Sequence, residues 1–100
     1  TPKMVAYMEL AASTLLEEHI APGQATVGTG INVRHSAATP AGLEVRITAT
    51  VVDIDRRRVD FEVVAEDAYG RIGEGTHSRF IVEREEFMAK VAKKSSPASS

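Results

Sequence analysis

The chain has 100 residues, with 12 Lys and Arg against 14 Asp and Glu, no Cys, 43% hydrophobic residues and a net charge of −2. Such a length fits one domain that buries about two-thirds of its unfolded surface, a modest core that a second chain can enlarge. The balanced charge leaves no basic footprint for nucleic acid, no run approaches the roughly 18 apolar residues of a membrane helix, and without Cys there is no disulfide framework, thiolate nucleophile or Cys-based zinc site.

The chain opens on Thr1 and not on Met, with no signal peptide visible, as in a processed or cut chain; a cytoplasmic location is expected. From Pro2 to about Ile20 the apolar residues fall at helical spacing. Met4, Met8, Ala11, Ala12 and Leu15 form one stripe, edged by Val5, Leu16 and Ile20. Thr1 suits the cap and Pro2 the first helical position, and Pro22-Gly23 ends the run. Glu9 breaks the pattern, because on the helical wheel it falls between Leu16 and Ile20, inside the stripe's edge. Two readings fit it. A carboxylate there either snorkels to solvent, or is paired or shifted in pKa, since an isolated buried charge is costly.

Ala25 to His35 alternates as a strand, with Ala25, Val27, Thr29, Ile31, Val33 and His35 expected on one face and Thr26, Gly28, Gly30, Asn32 and Arg34 on the other. Glycine inside a strand marks a close backbone approach, so the helix or a ligand is expected against Gly28 and Gly30. His35, at the strand's end, is either a core-edge imidazole with a hydrogen-bond partner or a proton shuttle facing a cleft. Ser36 to Gly42 is turn-rich, and Leu43 to Val51 alternates as a half-solvated strand. Asp55-Arg56-Arg57-Arg58 reads as a charged hairpin turn with an open role toward a phosphate-bearing ligand. Val59 to Ala65 is the next strand, Asp67 to Gly70 turns again, and Arg71 to Val82 is the last strand. Short connections between them predict an antiparallel meander. A charged helix is expected from Glu83 to about Ala92, giving one domain over 1–92 and a flexible tail over 93–100. One long helix beside a strand-rich remainder is the α+β outline of a hotdog fold, a long helix packed on a curved antiparallel sheet.

Several familiar chemistries find no support. Gly28-Thr29-Gly30 begins a dinucleotide pattern, but Val33 stands where its third glycine belongs, and the segment reads as strand. There is no P-loop and no Gly-x-Ser-x-Gly elbow. His19, His35 and His77 share no zinc-ligand spacing, so no metal is expected.

Thr1-Pro2, Met8-Glu9, Val27-Gly28-Thr29, Val33-Arg34-His35, Ala38-Thr39-Pro40, and then Gly73-Glu74-Gly75-Thr76-His77 with Arg79, resemble the fluoroacetyl-CoA thioesterase family of hotdog proteins. The likeness runs in register from Thr1 to about Val82. It implies a homodimer with its active site at the subunit interface, hydrolysing acyl-CoA thioesters through a Thr, Glu and His set that matches Thr1, Glu9 and His35. Gly28 matches the glycine region lining that site, and Arg79 matches a position near it, so both are taken as substrate-binding. CoA belongs to the substrate, and no cofactor is implied. The family's first strand and aromatic lid would precede Thr1, and the N-terminal first strand is expected to be absent from this chain.

The expected reaction is thioester hydrolysis without metal. Glu9 would be nucleophile or base, His35 a proton shuttle, and Thr1 an orienting hydroxyl, with backbone amides near Gly28 stabilising the oxyanion. Two rivals share the fold, a non-catalytic acyl-CoA-binding hotdog protein and a hydroxyacyl-thioester dehydratase.

Overall fold

The computed structural model describes residues 2–94. Helix α1 (Pro2–Glu17) is followed by strands β1 (Gln24–His35), β2 (Arg46–Asp55), β3 (Arg58–Asp67) and β4 (Gly70–Glu83), and by helix α2 (Arg84–Lys94). The strands form one antiparallel sheet in the order β1-β4-β3-β2. The meander expected over the last three strands is present. β1 joins it from the far side, against β4, so the connection 36–45 must cross from one edge of the sheet to the other.

The core follows from two periodicities meeting. Met4, Met8, Ala12 and Leu16, four residues apart on α1, are the buried residues of the helix. They face Val59, Phe61, Val63 and Ala65, which alternate along β3. Leu16 therefore belongs to the centre of the stripe and not to its edge. Met8, Phe61 and Val63 have no exposed surface at all. Val33, Ile47, Ala49 and Ile81 extend this layer onto the other three strands. The opposite sheet face is mixed: Ser78 donates to Asp60 at 2.7 Å and Arg58 lies 3.4 Å from the same carboxylate, while Phe80 is an exposed apolar residue.

Glycines let backbone and helix close on each other in β4. A Cβ on Gly73 would fall 2.6 Å from Met4 Sδ, and one on Gly75 would overlap the Asn32 carbonyl oxygen of β1.

Several boundaries differ from expectation. α1 stops at Glu17, where the His19 amide donates to the Leu16 carbonyl at 2.9 Å and turns the chain. β2 begins at Arg46, because the Leu43 amide is drawn to the Pro40 carbonyl at 3.3 Å and holds 40–43 as a turn. α2 continues to Lys94, so Lys93 and Lys94, expected in a tail, form its last turn. Its acids Glu85 and Glu86 stand at the start and these lysines at the end, each sign complementing the helix dipole. The rest of the expected tail, 95–100, and Thr1 lie outside the described residues.

Candidate active site

The largest departure from simple alternation lies in β1. Gly28 pairs with Arg79 and Gly30 with Ser78, which leaves Thr29 as an extra, unpaired residue. This bulge resets the phase of the strand. Before it, Thr26 and Gly28 face α1; after it, Ile31, Val33 and His35 do. Ala25 and Val27, expected on the same face as Ile31, instead pair with Val82 and Phe80 on the opposite one. Thr29 fixes its own place by donating its hydroxyl to the Ser78 carbonyl at 3.2 Å.

The bulge puts Gly28 on the floor of a polar cluster between α1, β1 and β4. A Cβ built on Gly28 would lie 3.3 Å from Arg79 Nη1, 3.3 Å from His77 Cε1 and 3.6 Å from Glu9 Oε2. Glycine thus keeps open a space of about methyl size, ringed by a guanidinium, an imidazole and a carboxylate. The expected close approach holds at Gly28. A Cβ built on Gly30 would meet nothing within 4 Å, so no close approach excludes a side chain there.

β4 supplies two of the three side chains. On its helix-facing side Gly73, Gly75, His77 and Arg79 follow one another at every second position, and only then does Ile81 restore an apolar residue. His77 is 2% exposed and packs its ring against Phe61 with centroids 6.1 Å apart. Its Nδ1 lies 2.7 Å from the Gly30 carbonyl oxygen. Arg79 is 9% exposed. Its Nε donates to Thr26 Oγ1 at 3.0 Å, its Nη2 to the Thr26 carbonyl at 3.0 Å, and its Nη1 reaches His77 Nε2 at 3.3 Å. Burial lowers the pKa of Arg79, while the negative charges of Glu9 and Glu17 oppose that shift. A guanidinium keeps its charge under such a shift. The site therefore holds a cation bonded to neutral acceptors, with Glu9 acting on it through space.

Glu9 is half-buried, on the flank of α1 that looks toward β1. This is the paired-or-shifted side of the two readings in position only, since it stands beside charge without a direct hydrogen bond to Arg79. His35 is at the other end of β1, opposite Gly73. It lines an open groove of about 910 Å³ with Met4, Tyr7, Thr39, Leu43 and Ile72 at the N-terminal end of α1. Seven positions and one bulge separate Gly28 from His35, about 20 Å of extended strand. Glu9 and His35, expected to work together, are therefore not brought together within one chain. The sequence places His77 in the late motif of the resemblance and outside any zinc-ligand spacing, but assigns it no role in the chemistry. The clue to it is the His77 and Arg79 pair at helix-facing positions of β4, where an ordinary core strand carries apolar residues.

The groove's far wall is fixed by a tether. Thr39 donates to Asp67 Oδ2 at 2.7 Å, tying the crossing connection to the β3–β4 turn. That bond, followed by the backbone amide of Tyr69, lowers the pKa of Asp67 below 3.8. Among the described residues no group of three or more His, Asp or Glu side chains converges as a metal site, and no helix is long and apolar enough to cross a membrane. In the Arg56–Arg58 turn, Arg57 lies 3.7 Å from Glu83, while Arg58 is shared among Asp53, Asp55 and Asp60. Two of the three charges of this turn are thus engaged with carboxylates.

A family profile described as fluoroacetyl-CoA-specific thioesterase matches residues 1–85. A fluoroacetyl-CoA thioesterase from Streptantibioticus cattleyicolor is 42% identical over 91 residues, which span 91% of this chain and 66% of that protein. The crystal structure of a mutant of the fluoroacetyl-CoA-specific thioesterase, in complex with fluoroacetate and CoA, superimposes with a TM-score of 0.89 at 41% identity, covering 96% of this chain and 75% of its own. A hot-dog-like protein from Thermanaerovibrio acidaminovorans shares the fold, with a TM-score of 0.92 at 24% identity over 96% of this chain and 71% of its own.

Proposed function

The chain belongs to the family of fluoroacetyl-CoA-specific thioesterases, and on that premise we propose that it hydrolyses a small acyl-CoA to the free acid and CoA in a homodimer. The observation that carries this reading is the carboxylate of Glu9, held over the open floor of Gly28 with Arg79 beside it. An acyl carbonyl lying on Gly28 meets Glu9 on one side and polarising N–H groups on the other, the combination that acyl transfer needs. The relative crystallised with fluoroacetate and CoA supports the substrate class.

Glu9 takes a proton from the water that adds to the carbonyl carbon, or adds to it itself. The oxyanion so formed is held by backbone amides near Gly28 and by the field of Arg79. The C–S bond then breaks, and the departing CoA thiolate takes a proton from His35. Where Glu9 itself adds, water then hydrolyses the Glu9–acyl anhydride left by C–S cleavage and frees both the acid and the carboxylate. Thr1 orients Glu9 or bonds the acyl group, the role that the resemblance implies. CoA enters as part of the substrate, no cofactor is required, and a cytoplasmic setting suits such a substrate. Because Glu9 and His35 stand far apart in one chain, the His35 that serves a given Glu9 comes from the second copy.

The test is release of free thiol from a panel of acetyl-, fluoroacetyl-, medium-chain and aryl-CoA by the chain in its full-length context, beside Glu9→Gln. The reading requires turnover that falls at least about 100-fold in the variant, the scale of a lost general base or more. Interconversion of hydroxyacyl and enoyl thioesters without thiol release would make the protein a dehydratase. CoA-dependent thermal stabilisation with no release would make it a binder.

A further inference from the structure

His77 is the one buried titratable group of the cluster that the proposed chemistry leaves unused, and its two ring nitrogens have unlike partners. Nδ1 meets the Gly30 carbonyl oxygen at 2.7 Å, and an oxygen of that kind only accepts. Nε2 meets Arg79 Nη1 at 3.3 Å, and a guanidinium only donates. These partners assign the proton to Nδ1 and leave the lone pair on Nε2. The ring therefore has one tautomer that satisfies both neighbours, and it is locked in place by its packing on Phe61.

The two contacts straddle the bulge. His77 grips β1 on its far side at Gly30, while Arg79 grips the near side at Thr26 through Nε and Nη2. Gly28 lies between the two grips. The third nitrogen of the guanidinium, Nη1, is the one nearest the open space above Gly28, and His77 is its only hydrogen-bond partner among the described residues. Without that acceptor, the planar guanidinium is held only along its Thr26 edge and can pivot as a unit, carrying Nη1 toward Glu9, whose charge already acts on Arg79. Direct pairing of the two would occupy the carboxylate that the reaction uses.

We propose that His77 is a positioning residue which, as the Nδ1-protonated tautomer, anchors Arg79 Nη1 beside Gly28 and keeps it from pairing with Glu9. The functional half of this inference rests on the thioesterase reading; the structural half does not.

Asparagine and glutamine separate the two contacts of His77. In His77→Asn the amide nitrogen stands near the place of Nδ1 and can still donate to Gly30, but nothing reaches Arg79. In His77→Gln the amide oxygen stands near the place of Nε2 and can still accept from Arg79. The first readout is the nitrogen-15 spectrum of the wild-type imidazoles and of the Arg79 side chain in the full-length protein. The Nδ1-protonated form of His77 is expected, with an Arg79 side-chain N–H signal that shifts and exchanges faster in Asn but is retained in Gln. The second readout is thiol release, where kcat falls at least tenfold in Asn with KM within about threefold, and Gln restores most of the rate. An Nε2-protonated His77, or an Arg79 signal identical in the wild type and Asn, overturns the inference whatever the enzyme turns over. Equal losses of rate in Asn and Gln, tracking their losses of melting temperature, also overturn it by reducing His77 to packing. A wild type that releases no thiol from any substrate defeats the thioesterase reading, and the tautomer and the Arg79 signal still decide whether His77 holds Arg79.

Discussion

At the scale of single residues, the site depends on one absent side chain. Gly28 has no unusual backbone angle, so alanine fits the strand and even gains about 0.5 kcal/mol of backbone propensity. Against that gain stands crowding of Arg79 Nη1 and His77 Cε1, each 3.3 Å from the new carbon. Gly28→Ala is expected to melt within a few degrees of the wild type while losing most of its turnover, because the methyl group fills the space meant for substrate. A calorimetric scan beside the thiol assay reads both. Thr39 gives a second residue-scale expectation. Its hydroxyl is the largest cause of the lowered Asp67 pKa, so Thr39→Val moves that pKa up toward the ordinary value, with the Tyr69 and Gly70 amides holding part of the shift. Because the folded-state pKa lies below the unfolded one, this contribution to stability is complete above the unfolded value and is lost as pH falls through the folded one. The stability difference between wild type and variant should therefore narrow as pH falls from the unfolded value through the folded one. An NMR titration of Asp67 follows the shift itself.

At the scale of elements, α1 and β3 were legible because each follows one period without interruption. A four-residue run of Met4, Met8, Ala12 and Leu16 meets a two-residue run of Val59, Phe61, Val63 and Ala65, and either run alone shows its buried face. β1 was misread because two-residue alternation assumes that no residue is added. Thr29 is added, and the glycines on either side mark a bulge as readily as a close approach. The same period-two reading of β4, carried one step further, brings His77 and Arg79 to the helix side with Gly73 and Gly75. These glycines set up the element-scale prediction. Gly75 lies under the Asn32 carbonyl of the neighbouring strand, which is backbone and cannot rotate away. Gly75→Ala should cost about 3 kcal/mol or more, the upper range for overpacking a closed interior, and a urea midpoint measures it. A loss similar to that at Gly28 would mean that β1 and β4 separate more easily than their pairing indicates.

At the scale of the whole molecule, the sequence placed the helix and the meander correctly but could not place Glu9 relative to His35. Position along a strand is local information, whereas the meeting of two strand ends is a matter of assembly. The fold puts Glu9 over Gly28 and His35 on a groove at the far end of the same strand. A site that needs both must draw them from two chains. Tyr7 and Leu10 on α1, and Ile31 on the outer strand β1, remain 36–59% exposed in one chain, apolar surface available to further contacts. Subunit mixing decides whether the site is shared between two chains. Full-length Glu9→Gln and His35→Asn chains, each inactive alone, are unfolded together, refolded together and assayed for thiol release. Random pairing makes half of the dimers mixed, each with one intact Glu9 and His35 pair, so about a quarter of wild-type activity should return. Mixed dimers that form, as native mass spectrometry would show, yet recover no activity would contradict a shared site and place both groups of a working site in a single chain.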